Sequence, residues 1–272
     1  MTLAEEPADA QRVNLNLNEV REIMHLGVRR AMAFLGSAQR FSEAEPPTSL
    51  ALSTLADFRA LPEPLSIEQA REYQLEFTRW VLGSALGELD RFLHLFLDQV
   101  WRAAEIVQHG PVVQAGLPIG NVEGETNSGN KVRRVLERLS PEERVQPHWS
   151  TLANARNALT HQAGRVTPSK AKHDGRLRIS WERLELTVVD GEGNQTVLND
   201  AVEPVMVKGP GGNIQVRTAD VHVEFEIGEI ISLTPQQMSE ICFFYHRFAD
   251  RVHGLLIEYC RAKGIPINQP AA

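Results

Sequence analysis

Cysteines, aromatic residues and long apolar runs are all scarce in this chain of 272 residues. Its two cysteines, Cys242 and Cys260, cannot build a disulfide framework and form no CxxC pair, so they indicate ordinary thiols in a reducing compartment. No window approaches the roughly 18 uninterrupted apolar residues of a membrane span. The acidic N-terminus also lacks the basic and apolar regions of a signal peptide. We therefore expect a cytoplasmic protein without a membrane partner.

An excess of basic charge is missing as well. The chain has 28 Lys and Arg against 35 Asp and Glu, which gives a net charge of −7. This balance argues against a protein that wraps nucleic acid over most of its surface, although it allows a local basic patch. The 42% hydrophobic content is ordinary for a globular protein and excludes a disordered chain.

Helical periodicity dominates the first part of the chain. Apolar residues recur at three and four from residue 18 to Pro46, and a short helix is predicted over Leu50–Phe58. Ser66 and Gln69 form a capping box that starts the longest helix. Glycines at 83 and 87 lie one turn apart in that helix and suggest close approach by another backbone. Its apolar seam is suited to packing between helices and consists of Leu82, Leu86, Leu89, Leu93, Phe96 and Val100.

The second part of the chain combines helices with a sheet. We predict a loop over Gly110–Asn130 and helices over Lys131–Leu139 and Ser140–Ala163, the latter with Ser140 as its N-cap. Residues 177–231 alternate between apolar and polar, which predicts three to five antiparallel strands, one of them at Val205–Val207. A second capping box, at Thr234, starts the last helix.

The predicted fold is mainly α, of the α+β class: a helical bundle with a small antiparallel β-sheet inserted before the last helix. Residues 1–17 are expected to be disordered, 18–164 to form the bundle and 165–233 the β insertion. Residues 234–264 would form a C-terminal helix that returns to the bundle, so that the chain makes one domain.

Two familiar kinds of site find little support in the sequence. The segment 124–131 resembles a phosphate-binding loop, but Asn130 precedes Lys131 and Val132 replaces the required hydroxyl. His246 and His253 share a helix face without further ligands at suitable spacing. We therefore expect neither a metal site nor a cofactor.

One motif in the predicted helix 140–163 points to chemistry. Arg156 is followed by Asn157 and, after three more residues, by His161, and the helix exits through a Gly-Arg-Val sequence. An Arg and a His separated by four to six residues also occur by chance elsewhere, for example at Arg102 and His109. The polar residue directly after Arg156 and the position of the motif late in a helix therefore distinguish this segment. In these features the segment resembles the HEPN superfamily, whose members are helical bundles with an Arg-x(4–6)-His motif.

The resemblance implies a metal-independent endoribonuclease, a hydrolase found in toxin–antitoxin and other defence systems, acting as a homodimer with a possible antitoxin partner. RNA brings its own nucleophile, the 2′-OH, so no metal-bound water is needed. His161 would exchange a proton with the 2′-OH or with the leaving oxygen, and Arg156 would stabilise the charged phosphate. Asn157 would orient the imidazole or the phosphate.

Local charge adds a candidate RNA-binding surface. The segment from Arg156 to Arg183 contains seven basic residues and only two acidic ones, and such an excess of positive charge suits a phosphate backbone. Its predicted RNA-binding residues are Thr160, Arg165, Lys170 and Lys172. Two alternatives stay open: a non-catalytic HEPN-like module that binds nucleic acid, a nucleotide or a protein, and a plain helical interaction protein.

Overall fold

The computed structural model describes residues 15–48, 65–109, 122, 124–198 and 213–267. Within these ranges the chain forms five α-helices and three β-strands. The helices are α1 Leu17–Glu43, α2 Ile67–His109, α3 Ser128–Leu139, α4 His148–His161 and α5 Pro235–Ala262. The strands are β1 Arg176–Val189, β2 Gln195–Val197 and β3 Asn213–Glu226. This confirms a mainly α fold with a small antiparallel sheet before the last helix.

Some predicted elements fall on other parts of the chain. The short helix at Leu50–Phe58, the strand at Val205–Val207 and most of the loop at Gly110–Asn130 lie outside the described residues. The same holds for residues 1–14 of the N-terminal segment, while α1 begins at Leu17. None of the helices in the described ranges has a stretch apolar enough to cross a membrane.

Both capping boxes form as predicted. At the start of α2, the Ser66 amide donates to Gln69 Oε1 at 3.1 Å and the Gln69 amide donates to Ser66 Oγ at 3.2 Å. At the start of α5, Thr234 and Gln237 exchange the same pair of hydrogen bonds, at 2.8 and 3.1 Å. Each box satisfies two amides that the helix itself leaves without partners.

The helix that carries the motif begins later than predicted. Ser140 does not cap it but ends α3, with its amide donating to Leu136 O at 2.8 Å. The following residues form a turn, and α4 starts at His148 after Pro147. A proline at position 147 inside a continuous helix would remove an amide donor and clash with the preceding turn, so two shorter elements form instead of one.

The chain divides into two compact units. The first unit comprises Met1–Gly27, Asp90–Gln146 and His246–Ala272. Where α1 and α2 meet in this unit, a Cβ on Gly27 would lie 2.4 Å from Phe92 Cβ, so that only glycine permits the approach. Lys131, the lysine of the loop-like segment, is buried and lies 2.7 Å from Asp98. That ion pair gives Lys131 a structural role in place of phosphate binding.

The second unit comprises Val28–Leu89 and Pro147–Tyr245 and contains the whole sheet. The sheet order is β2-β1-β3, with β1 antiparallel to both neighbours. Its odd-numbered β1 positions Leu177, Ile179 and Trp181 are buried, and the Trp181 indole donates to Glu240 of α5 at 2.9 Å. Within the region predicted to alternate, residues 213–226 form one strand, β3, which pairs with β1 along its whole length.

The apolar seam of α2 is buried at every predicted position. The two cysteines are also buried, and loss of solvation raises the pKa of the Cys242 thiol to about 12.

The two glycines of α2 differ in how closely another element approaches them. A Cβ on Gly83 would lie 3.1 Å from Leu159 Cβ of α4, whereas nothing lies within 4 Å of one on Gly87. Close approach of another element therefore explains Gly83 but not Gly87.

This difference predicts opposite outcomes for two alanine substitutions. Gly87→Ala should raise the free energy of unfolding by about 0.5–1 kcal/mol, because alanine favours the helix and its methyl group meets open space. Gly83→Ala, the matched control in the same helix, should not raise the free energy of unfolding, because its methyl group would crowd Leu159. Urea unfolding of both variants measures the difference, and an equal gain at both positions would contradict the packing described.

Candidate nucleic-acid interface

Helix α4 lies along the edge of β1 that β2 leaves uncovered. The Ser180 amide of β1 donates to Thr151 Oγ1 of α4 at 3.1 Å, at a position where none of the described strands supplies an acceptor. The Thr151 hydroxyl in turn donates to His148 O at 2.8 Å. The buried His148 ring places its Nδ1 2.9 Å from Ser180 Oγ. Two residues in the first turns of α4 therefore fix the helix to the middle of the strand.

The predicted motif occupies the last two turns of α4. Arg156 and Asn157 are half-buried, while Thr160 and His161 are exposed. At 100° per residue Asn157 and His161 share a helix face, and Arg156 lies about 140° from His161. Arg156 borders the buried side of the helix, where Leu152, Ala155 and Leu159 lie.

The chain leaves α4 through a tight turn. Ala163 and Gly164 both have positive φ, 49° and 77°, and the Gly164 amide donates to Ala158 O at 3.1 Å. The segment then pairs with the residues before α5, since the Val166 amide donates to Glu229 O at 2.9 Å. Exposed Arg165 donates from Nη1 to Gly228 O at 2.8 Å. This contact gives Arg165 a structural partner in the segment between β3 and α5.

A cleft of about 690 Å³ opens in the second unit, beside the first turns of α4. Three segments line it: the start of α4, the chain from Lys170 to Ser180, and β3 at 220–222. A turn at Asp174-Gly175, with φ of 48° and 76°, folds the second segment back on itself. The two positive φ values are typical of the type I′ turn that an Asp-Gly pair favours. This turn brings Lys172 and His173 alongside the first residues of β1.

The lining of the cleft is rich in positive charge. It includes two lysines, two arginines and three histidines against one carboxylate, Asp220, and the basic residues are Lys170, Lys172, Arg176, Arg178, His148, His173 and His222. Both arginines are neutralised by strand β3, since Arg178 lies 2.6 Å from Glu224 and Arg176 lies 3.1 Å from Glu226. Within the described part of the chain, neither lysine ammonium forms an ion pair, so both charges are available to an anionic ligand.

The predicted site residues are thus distributed over two places. Lys170 and Lys172 line the cleft, whereas Arg156, Asn157, Thr160, His161 and Arg165 do not. The connection between the two places is a face of α4. Ser150 and Asn154 line the cleft, and at 100° per residue they share a polar face with Asn157 and His161. His161 lies about 10 Å beyond Asn154 along the helix axis.

Sequence reasoning did not identify His148, His173 and Asp220 as parts of this site. The Asp-Gly pair at 174–175 was a usable signal for the turn, because it lies between a basic segment and an alternating strand. Nothing local in the sequence indicated His148 or Asp220, which meet through the register of β1 and β3 and the docking of α4.

Compared with known proteins, the chain matches no family model, no curated protein and no solved structure. The resemblance to HEPN proteins, which was drawn from the sequence motif, therefore stays a prediction.

The contact between α4 and β1 predicts the effect of removing one hydroxyl group. Thr151→Val keeps the shape of the side chain but leaves the Ser180 amide without its acceptor, so the free energy of unfolding should fall by about 1–3 kcal/mol. Thr160→Val is the matched control in the same helix, because Thr160 is exposed and should change stability by less than about 0.5 kcal/mol. Chemical denaturation measures both, and equal effects would contradict the role given to Thr151.

Proposed function

We propose that this chain is a metal-independent endoribonuclease that resembles HEPN proteins. The observation that carries the proposal is the polar face of α4, which runs from the basic cleft at Ser150 and Asn154 to Asn157 and His161. An RNA strand held by Lys170 and Lys172 could follow this face to an exposed imidazole at the end of the helix. One helix thus joins a surface suited to phosphates with a group suited to proton transfer.

The proposed chemistry uses the residues of the motif. The imidazole of His161 is a group that can accept or donate a proton, which is the role proposed for it. It would exchange that proton with the 2′-OH or with the leaving 5′-oxygen, and the product would carry a 2′,3′-cyclic phosphate. A guanidinium can hold the phosphate with two parallel donors and stabilise its additional charge, which is the role proposed for Arg156.

The angle between the two residues supports a composite site. Arg156 lies about 140° around the helix from His161, so one helix does not direct both side chains at a single atom. A second copy of the chain would supply the missing partner, as the resemblance to HEPN proteins implies. The proposal therefore includes a homodimer, and by the same resemblance an antitoxin partner that controls its activity.

Cleavage of a labelled single-stranded RNA in the presence of EDTA tests the chemistry. We expect the wild type to cleave and His161→Ala to lose at least about 100-fold in rate, because it lacks the proton-transfer group. Arg156→Ala should lose about 100- to 1,000-fold through reduced stabilisation of the transition state. The products should end in a 2′,3′-cyclic phosphate, which phosphatase and ligase assays can distinguish from a free 3′-phosphate.

A matched control exists in the first unit. Arg102 and His109 have the same kind of spacing near the end of α2, and the His109 side chain is half exposed. Alanine at either position should leave cleavage unchanged. Equal activity of the wild type and His161→Ala, or no cleavage by any of them, would contradict the proposed enzyme.

Binding without chemistry tests the basic cleft separately. In a His161→Ala background, Lys170→Glu with Lys172→Glu should weaken binding of single-stranded RNA and reduce its steep salt dependence. Two lost phosphate contacts should lower the slope of log affinity against log salt by about 1.4. Lys263→Glu is the control, because Lys263 is exposed at the end of α5 in the first unit. An unchanged slope in the double variant would show that RNA does not use this cleft.

These two assays also separate the enzyme from the alternative function. The alternative is a non-catalytic module that binds nucleic acid, and the two cleft lysines favour it because they lie outside the motif. Binding that depends on the two lysines without any cleavage would establish this alternative.

A further inference from the structure

Three potential metal ligands meet at the wall of the cleft. His148 comes from the start of α4, Glu182 from β1 and Asp220 from β3. Glu182 and Asp220 are directly paired in the antiparallel register of the two strands, so their side chains leave the same face of the sheet. One ring nitrogen of His148 and one oxygen of each carboxylate all lie within 4.8 Å of one another.

The histidine of this cluster is buried and incompletely bonded. Its side chain is only 4% exposed, and its Nε2 lies 3.3 Å from Asp220 Oδ1. That nitrogen is shielded from solvent and makes no hydrogen bond to any residue in the described ranges. A buried polar atom without a hydrogen bond is costly, and it points to a ligand that the protein itself does not supply.

The hydrogen bonds around the ring are compatible with a lone pair on Nε2. The Thr151 hydroxyl uses its proton on His148 O, so at the 3.2 Å contact between the two hydroxyls Ser180 can donate to Thr151. His148 Nδ1 then donates to Ser180 Oγ, and Nε2 presents its lone pair towards Asp220. With that tautomer two electron-rich atoms lie 3.3 Å apart, and a cation between them, either a metal ion or a proton on Nε2, removes their repulsion.

We propose that His148, Glu182 and Asp220 bind one divalent transition-metal ion of the Zn²⁺ or Mn²⁺ class. Two ligands at about 2.0 Å from a tetrahedral ion are themselves about 3.3 Å apart, which is the observed separation of His148 Nε2 and Asp220 Oδ1. A neutral imidazole and two carboxylates carry a charge of −2, which balances a dication. The imidazole ligand suits zinc better than calcium or magnesium, and the two carboxylates are also suitable ligands for manganese.

The surroundings of the cluster meet the other requirements of such a site. The bond between His148 Nδ1 and Ser180 fixes the ring, as an outer-shell partner commonly does for a ligating histidine. The Asp220 side chain is 71% exposed, and both Asp220 and His148 line the cleft, which gives the ion a path from solvent. Three protein ligands leave a further position for water or for an anion bound in the cleft.

A second group of ligand-type residues lacks these features. In the first unit His25 and His246 both lie near Asp250, but their rings are stacked at 4.0 Å with an angle of 22° between the planes. Parallel stacked rings cannot both direct an in-plane lone pair at one ion. The guanidinium of Arg21 also lies 3.9 Å from the Asp250 carboxylate. Substitution of His246 therefore serves as a control for zinc that binds to histidines outside the proposed site.

Calorimetric titration of the chelator-treated full chain with ZnCl₂ tests the proposal, without RNA in the cell. We expect one equivalent of zinc to bind, with affinity at least 10-fold lower in Glu182→Gln and in Asp220→Asn. These carboxylates are half-buried and exposed, so their amides should preserve the fold, which thermal unfolding checks. His246→Ala should bind as the wild type does. Affinity should also fall in acid, because protons compete with the metal ion for its ligands.

Two results would overturn the metal site. One is the absence of stoichiometric zinc and manganese binding by the wild type, and the other is unchanged affinity in both carboxylate variants. Neither result bears on RNA cleavage, because that proposal uses Arg156 and His161 in the presence of EDTA. Conversely, an absence of RNA cleavage would not change the result expected from the zinc titration.

Discussion

The hydrogen-bonded contact between the first turns of α4 and the middle of β1 determines what this structure can do. A β-strand with an uncovered edge has amides that need acceptors, and here the Thr151 hydroxyl supplies one for Ser180. Together with the contact between His148 Nδ1 and Ser180 Oγ, this hydrogen bond sets the position of the helix along the strand. It thereby places His148 against the sheet, opens the cleft beside Lys170 and Lys172, and sets the direction of the face that ends at His161.

The net charge of the whole chain does not show how charged side chains are arranged around this contact. The whole chain is acidic, yet the described lining of the cleft contains seven basic side chains and one carboxylate. Strand β3 neutralises the two arginines through Glu224 and Glu226 and leaves the two lysines unpaired. Positive charge is therefore local, close to a helix face with exposed polar groups, which suits a short stretch of phosphate backbone better than a long duplex.

How much the sequence predicted depends on the range of the interactions involved. The capping boxes at Ser66 and Thr234 use residues three apart, and the seam of α2 follows from helical period, so both could be predicted and are confirmed. Helix α4 starts later than the predicted residue 140, because Pro147 interrupts the helix predicted over 140–163. The meeting of His148 with Asp220 could not be predicted, since it depends on a strand register and on a helix packed against the strand edge.

The central claim is that RNA lies along the cleft and the polar face of α4. Photocrosslinking of the full chain to an RNA that contains 4-thiouridine, followed by mass spectrometry of the peptides, tests this placement most directly. The account predicts adducts within the lysine-containing segment from 170 to 178 and on α4 between Asn154 and His161. Adducts confined to the first unit, or none above the level obtained with a DNA of the same sequence, would contradict it.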